Sequence, residues 1–81
     1  MRSIHSKQYA VFVAVLAAAR VEAGMTQAQL AQTLKKPQSF VSKYERQERR
    51  LDVAEFVAIS QALGLAASKL MQRIERELSK Q

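Results

Sequence analysis

The stretch from Gly24 to Glu45, GMTQAQLAQTLKKPQSFVSKYE, decides the fold. Thr26 and Gln29 stand at the spacing of a capping box, in which the hydroxyl takes one orphan N–H of a helix start and the amide side chain takes another. Met25 and Leu30 flank that start at the spacing of a hydrophobic staple. Leu30, Ala31 and Leu34 then recur at helical intervals and give an inward face. The pattern breaks at Lys35-Lys36. Pro37 follows, and proline suits the first position of a helix because its missing N–H has no partner there anyway. A further helix is therefore predicted from Pro37 to Arg46, with Val41 and Tyr44 turned inward. Phe40 either joins them or lies exposed. Two short helices joined by a tight turn, with basic residues before and after the second, form a helix-turn-helix over residues 26–46.

Outward from this stretch, almost everything reads as helix. A first helix is predicted from Ser6 to Ala23, with Tyr9, Phe12, Val15, Leu16 and Ala19 on its buried face. Gly24 suits the left-handed position just past its end. Gln47 to Arg50 is polar and basic and reads as loop. Asp52 with Glu55 makes a second capping box, and Leu51 with Phe56 a second staple. The helix that follows runs to Leu63, with Val53, Phe56, Val57 and Leu63 inward, and Gly64 closes it. A last helix covers Ala67 to Ser79, where Leu70, Met71, Ile74 and Leu78 are apolar. The fold class is all-α: one five-helix domain over residues 1–81.

Composition limits the chemistry. The 81 residues include no cysteine and one histidine, so disulfides and thiolate chemistry are excluded and a zinc site is disfavoured. The net charge is +6. All of the excess lies in the first 50 residues, because the remainder carries four basic and four acidic residues. A polyanionic partner, nucleic acid before membrane, is the simplest reason for that asymmetry. The start, with Arg2 and Lys7 before the apolar run Tyr9 to Ala19, has some of the form of a secretory signal. The run is shorter than the roughly 20 residues a bilayer requires, and it supplies the first core helix, so the helix reading is preferred.

The Gly24–Glu45 stretch strongly resembles the Cro/repressor-type helix-turn-helix family, also called XRE-type regulators. The match runs from Arg20 to near Leu70 and rests on features at fixed spacing. These are Thr26-Gln27, Leu30-Ala31, Val41-Ser42, Glu45 and the tail Leu63-Gly64-Leu65. The resemblance implies a lambda-repressor-like DNA-binding domain. Ala31 must be small where the two helices cross closely, and Val41 packs beneath the crossing. The family often has glycine at the turn position held here by Lys35, so Lys35 is expected in a positive-φ conformation with some strain.

The resemblance also assigns roles. Gln38, Ser39, Ser42 and Lys43 match the positions that face base edges, where glutamine pairs with adenine, lysine reaches guanine acceptors and serine serves either. Gln27 matches the glutamine that meets a phosphate at the start of the helix, and Thr26 opens the same turn. Lys36, Arg46, Arg49 and Arg50 are candidate phosphate contacts, as is Phe40 if it reaches a sugar or a thymine methyl. Arg20 and Glu45 match a pair that fixes the recognition helix without touching DNA. Family members commonly bind two-fold related half-sites, which places two recognition helices about 34–36 Å apart. Leu70, Met71, Ile74 and Leu78 are the candidate dimer stripe, with the core as their alternative role.

Elsewhere the chemistry is sparse. His5 reads as an exposed tail residue, and Glu75, Arg73, Glu77 and Arg76 as a solvated face. No paired carboxylates, nucleophile arrangement or glycine-rich phosphate loop is present, so an enzyme is not expected, and neither is a cofactor or a small-molecule ligand. The expected function is sequence-specific DNA binding by a homodimeric, cytoplasmic, nucleoid-associated transcriptional repressor on an inverted-repeat operator in double-stranded DNA. The alternative is an antitoxin-like or other protein-interaction module on the same fold.

Overall fold

Local hydrogen bonding sets the ends of the helices. The computed structural model describes residues 6–80; Arg2 and His5 lie outside them. The helices are α1 (Lys7–Glu22), α2 (Gln27–Leu34), α3 (Gln38–Glu45), α4 (Val53–Ala62) and α5 (Ala67–Ser79). Ser6 caps α1 by accepting from the Tyr9 N–H. Thr26 with Gln29, and Asp52 with Glu55, form the reciprocal capping boxes expected of α2 and α4. Pro37 is the N-cap of α3 and lies outside its first turn, with extended backbone at ψ 153°. It has no side-chain donor or acceptor, so α3 starts without a side-chain cap.

The first four helices end in the same way. A residue with positive φ follows each of them: Gly24, Lys35, Gln47 and Gly64. In each case the next N–H reaches back to a carbonyl in the last turn. These bonds run from Met25 to Arg20, Lys36 to Ala31, Glu48 to Lys43 and Leu65 to Ser60. This is the Schellman arrangement, which satisfies carbonyls that the helix itself leaves open. Lys35 at φ 59° makes the tight turn between α2 and α3. Gln47 at φ 62° ends α3, a turn that the loop reading of Gln47–Arg50 did not resolve.

The core takes residues from all five helices. Leu16, Leu30, Val41, Tyr44, Ile59 and Leu70 are fully buried at its centre. Ala31 and Val41 are buried where α2 packs most extensively on α3. On α1, Val13 is buried while Phe12 is half-buried, packed between the Tyr9 and Phe56 rings.

Two expectations are corrected. Val53 and Val57 do not face inward: Val53 is 77% exposed and Val57 36%. With Asp52 as N-cap, the buried stripe of α4 falls on Phe56, Ile59 and Ser60, and the Ser60 hydroxyl donates to the Phe56 carbonyl. On α5, Leu70 and Ile74 belong to the core of the single chain and Leu78 packs partly against it, while Met71 is 42% exposed. Leu70 and Ile74 thus take the core role that the sequence left as their alternative. No single helix among the described residues is long and apolar enough to cross a membrane.

Candidate nucleic-acid interface

α3 presents two sides. Phe40, Val41 and Tyr44 are buried. Gln38, Ser39 and Lys43 are exposed on the other side, and Ser42 is half-exposed with its hydroxyl donating to the Ser39 carbonyl. The four residues expected to read bases thus share the outer face of one helix, bounded at its start by exposed Lys35 and Lys36. Its N-terminal turn has no side-chain cap.

A network centred on Glu45 fixes this helix. Arg20 Nε donates to Glu45 Oε2 at 2.7 Å and Arg20 Nη2 to Oε1 at 3.1 Å. Arg20 Nη1 also donates to the Met25 carbonyl. Gln27 Nε2 donates to Glu45 Oε1 at 2.9 Å. Through one carboxylate, the end of α1, the start of α2 and the end of α3 are held together. The hydrogen bond to Glu45 raises the Arg20 pKa further, so the guanidinium stays charged. Gln27 is placed at the start of α2 by a contact that sequence spacing does not reveal, because its partner lies 18 residues away.

The remaining candidates divide. Thr26 and Gln29 are occupied in the capping box at the rim of the face. Arg46 forks onto Glu48 in a pair more than half exposed on both sides, the kind of contact that contributes little and that a phosphate replaces easily. Arg50 lies over the Tyr9 ring and Lys36 over the Phe40 ring. Arg49 is tied more firmly: its guanidinium forks onto Glu55 and stacks over Phe40 at 4.7 Å. Phe40 itself is 8% exposed and packs edge-on against Tyr44. It closes the core beneath the outer face and does not project from it, which takes it out of the candidate DNA contacts.

A helix-turn-helix family model matches residues 16–70, which takes in everything described from the middle of α1 to the start of α5. The chain belongs to the XRE-type helix-turn-helix family. That membership makes it a DNA-binding transcriptional regulator. Among solved structures, this XRE-type chain is similar to an XRE-family like protein from Pseudomonas syringae pv. tomato str. DC3000. The two are 43% identical over 93% of this chain and 92% of that one, with a TM-score of 0.84. It is also similar to the wild-type restriction-modification controller protein C.Esp1396I, at 25% identity over 95% of this chain and 100% of that one, with a TM-score of 0.89. The same controller protein, as a tetramer in complex with its natural 35 base-pair operator, matches at 25% identity over 90% of this chain and 96% of that one, with a TM-score of 0.84. No curated protein matches the sequence.

Proposed function

We propose that the chain is a sequence-specific regulator, acting as a repressor, that binds an inverted-repeat operator as a homodimer and carries no catalytic activity of its own. The observation that carries this reading is the outer face of α3. Gln38, Ser39 and Lys43 stand exposed there on a helix whose other side is locked into the core and whose end is pinned by Arg20 and Glu45. Side chains of these types, held on a rigid helix narrow enough for the major groove, discriminate bases through their donor and acceptor patterns. Exposed Lys35, Lys36, Arg46 and Arg50 surround them and suit phosphates. The similar controller protein, seen as a tetramer with its operator, supports both the DNA partner and self-association.

The dimer surface we propose lies on α4 and α5, shifted from the stripe read in the sequence. Val53 and Met71 line one shallow cleft together with Phe12, Leu51 and Phe56, and Val57 stands one turn along α4 from Val53. Of these, Val53, Val57 and Met71 are exposed apolar side chains.

Selection of binding sites from random duplex DNA at two salt concentrations tests the reading. Enrichment of an inverted repeat with half-sites about 10 bp apart supports a dimeric, sequence-specific regulator. Binding that enriches no sequence and fades steeply with salt means phosphate contact alone, and it transfers the function to a protein partner.

A further inference from the structure

We propose that Arg49 is a positioning residue that sets the orientation of the recognition helix, and not one of its phosphate contacts; this rests on the DNA-binding reading above. Arg49 lies in the loop between α3 and α4, among basic residues that charge alone assigns to DNA. Its hydrogen bonds point elsewhere. Nη1 donates to the Arg50 carbonyl at 2.7 Å and to Glu55 Oε1 at 3.1 Å, and Nη2 donates to Glu55 Oε2 at 2.9 Å. The guanidinium carbon lies over the Phe40 ring, 4.7 Å from its centroid. The Arg49 carbonyl in turn accepts the Tyr9 hydroxyl at 2.8 Å. One residue thus joins α1 through Tyr9, α3 through Phe40 and α4 through Glu55.

The place of Phe40 gives this clamp its consequence. Phe40 is the third residue of α3 and lies between Gln38-Ser39 and Ser42-Lys43 in sequence. The start of α3 has no side-chain cap, and beyond the Phe40 N–H bond to the Pro37 carbonyl packing decides how that turn sits. Arg49 presses on the one aromatic side chain of that turn and is itself fixed by a carboxylate. Glu55 Oε1, which accepts from Arg49 Nη1, also accepts the Asp52 N–H at 2.9 Å, so the clamp is anchored to the N-terminus of α4. The Arg49 side chain is 40% exposed and Glu55 21%, and a phosphate that took the N–H groups already given to Glu55 would have to break a two-pronged pair. The Arg46–Glu48 pair nearby is far more open. A forked, stacked contact of this kind is specific to arginine, so lysine does not replace it.

The test measures operator affinity against salt for wild type, Arg49→Ala, Arg49→Lys, Glu55→Gln and the Arg49→Ala/Glu55→Gln double variant, each first checked for helicity. Glutamine still serves in a capping box, so Glu55→Gln folds and removes only the ion pair. It also deletes a negative charge beside DNA, which by charge alone tightens binding. The expected result is a loss of about tenfold in operator affinity for each single variant. The double variant loses no more than either single one, Arg49→Lys fails to rescue, and the slope of log K against log salt stays that of wild type. A slope reduced by about one in Arg49→Ala, with Glu55→Gln binding as well as wild type or better, overturns the proposal and makes Arg49 a phosphate contact. A wild-type protein that selects no operator overturns the DNA-binding reading itself.

Discussion

Arg20 and Glu45 stand 25 residues apart in sequence and grip each other by both edges, Nε to Oε2 at 2.7 Å and Nη2 to Oε1 at 3.1 Å. Their side chains are only 14% and 9% exposed. A pair so enclosed is expensive to break from one side, because the remaining charge stays buried without its partner. Glu45 also holds Gln27, so the damage spreads to the start of α2. Arg20→Ala is expected to cost about 3–5 kcal/mol and to weaken operator binding in the same variant. Thermal unfolding read together with a binding titration checks this. An unchanged melting temperature would show that the pair contributes nothing to the fold.

The exposed valine and methionine of α4 and α5 make a separate prediction about assembly. Val53→Glu with Met71→Glu places charge on a surface already open to solvent, so the protomer keeps its melting behaviour and loses self-association. Ile74→Glu is a different experiment, since Ile74 is 4% exposed within the core. A carboxylate there destabilises the chain by about 3 kcal/mol or more whatever the oligomeric state. Light scattering separates the cases. If the Val53/Met71 double variant stays dimeric, the interface lies elsewhere.

Glu55 gives the fold an acid-sensitive joint. Its carboxyl is held below the ordinary value of 4.5, first by the Arg49 guanidinium and then by the Asp52 N–H. A depressed carboxylate contributes stability that is complete above the ordinary value and is lost as pH falls through the lowered one. Glu55→Gln is therefore expected to be less stable than wild type at pH 7, with the two converging as pH falls below about 4.5. Melting curves from neutral to acid pH check it. Parallel curves across that range would remove Glu55 as the source.

The five helices were legible in the sequence because their punctuation is local. Two capping boxes and two glycines act over three to five residues, with apolar residues at helical spacing between them. The outer face of α3 was legible for the same reason once α3 was placed, since one helix face follows from spacing. What stayed hidden depends on distance. Gln27 meets Glu45 across 18 residues and Tyr9 meets Arg49 across 40, and no window of sequence contains both members. Arg49 and Glu55 are only six apart, but a charge tally reads Arg49 as one more cation in a basic run. The inward face of α4 was misjudged because Val53 and Val57 are apolar. That pattern cannot distinguish a core position from an exposed apolar one.

Base reading and phosphate binding separate by salt. Gln38 is exposed on the outer face of α3, where its amide can pair with one adenine. Gln38→Ala is expected to cost about 1–3 kcal/mol and to relax selectivity at a single operator position, with the salt slope kept. Lys36 sits at the edge of that face, over the Phe40 ring. Lys36→Ala is expected to weaken all duplexes alike and to lower the slope by about one. Titration against the selected operator and its single-position variants checks both. Uniform weakening by Gln38→Ala would move that residue to the backbone.

Gln47 offers a gain in stability. It follows α3 at φ 62° and closes that helix through the Glu48 N–H to the Lys43 carbonyl. Glycine takes the equivalent place after α1 and α4 at Gly24 and Gly64. A side chain in the left-handed region crowds the following carbonyl at about 1–2 kcal/mol, and the extra freedom of glycine in the unfolded chain offsets part of that. Gln47→Gly is therefore expected to stabilise the protein by about 0.5–1 kcal/mol, a rise of about 2–8 °C in melting temperature for a domain of this size. Lys35 has the same backbone strain at φ 59°, but its charge borders the α3 face, so replacing it changes binding as well. Gln47→Gly leaves every charge in place, and its effect should appear in the melting curve with operator affinity unchanged. A lower melting temperature would mean that the half-buried Gln47 side chain contributes more than its backbone conformation costs.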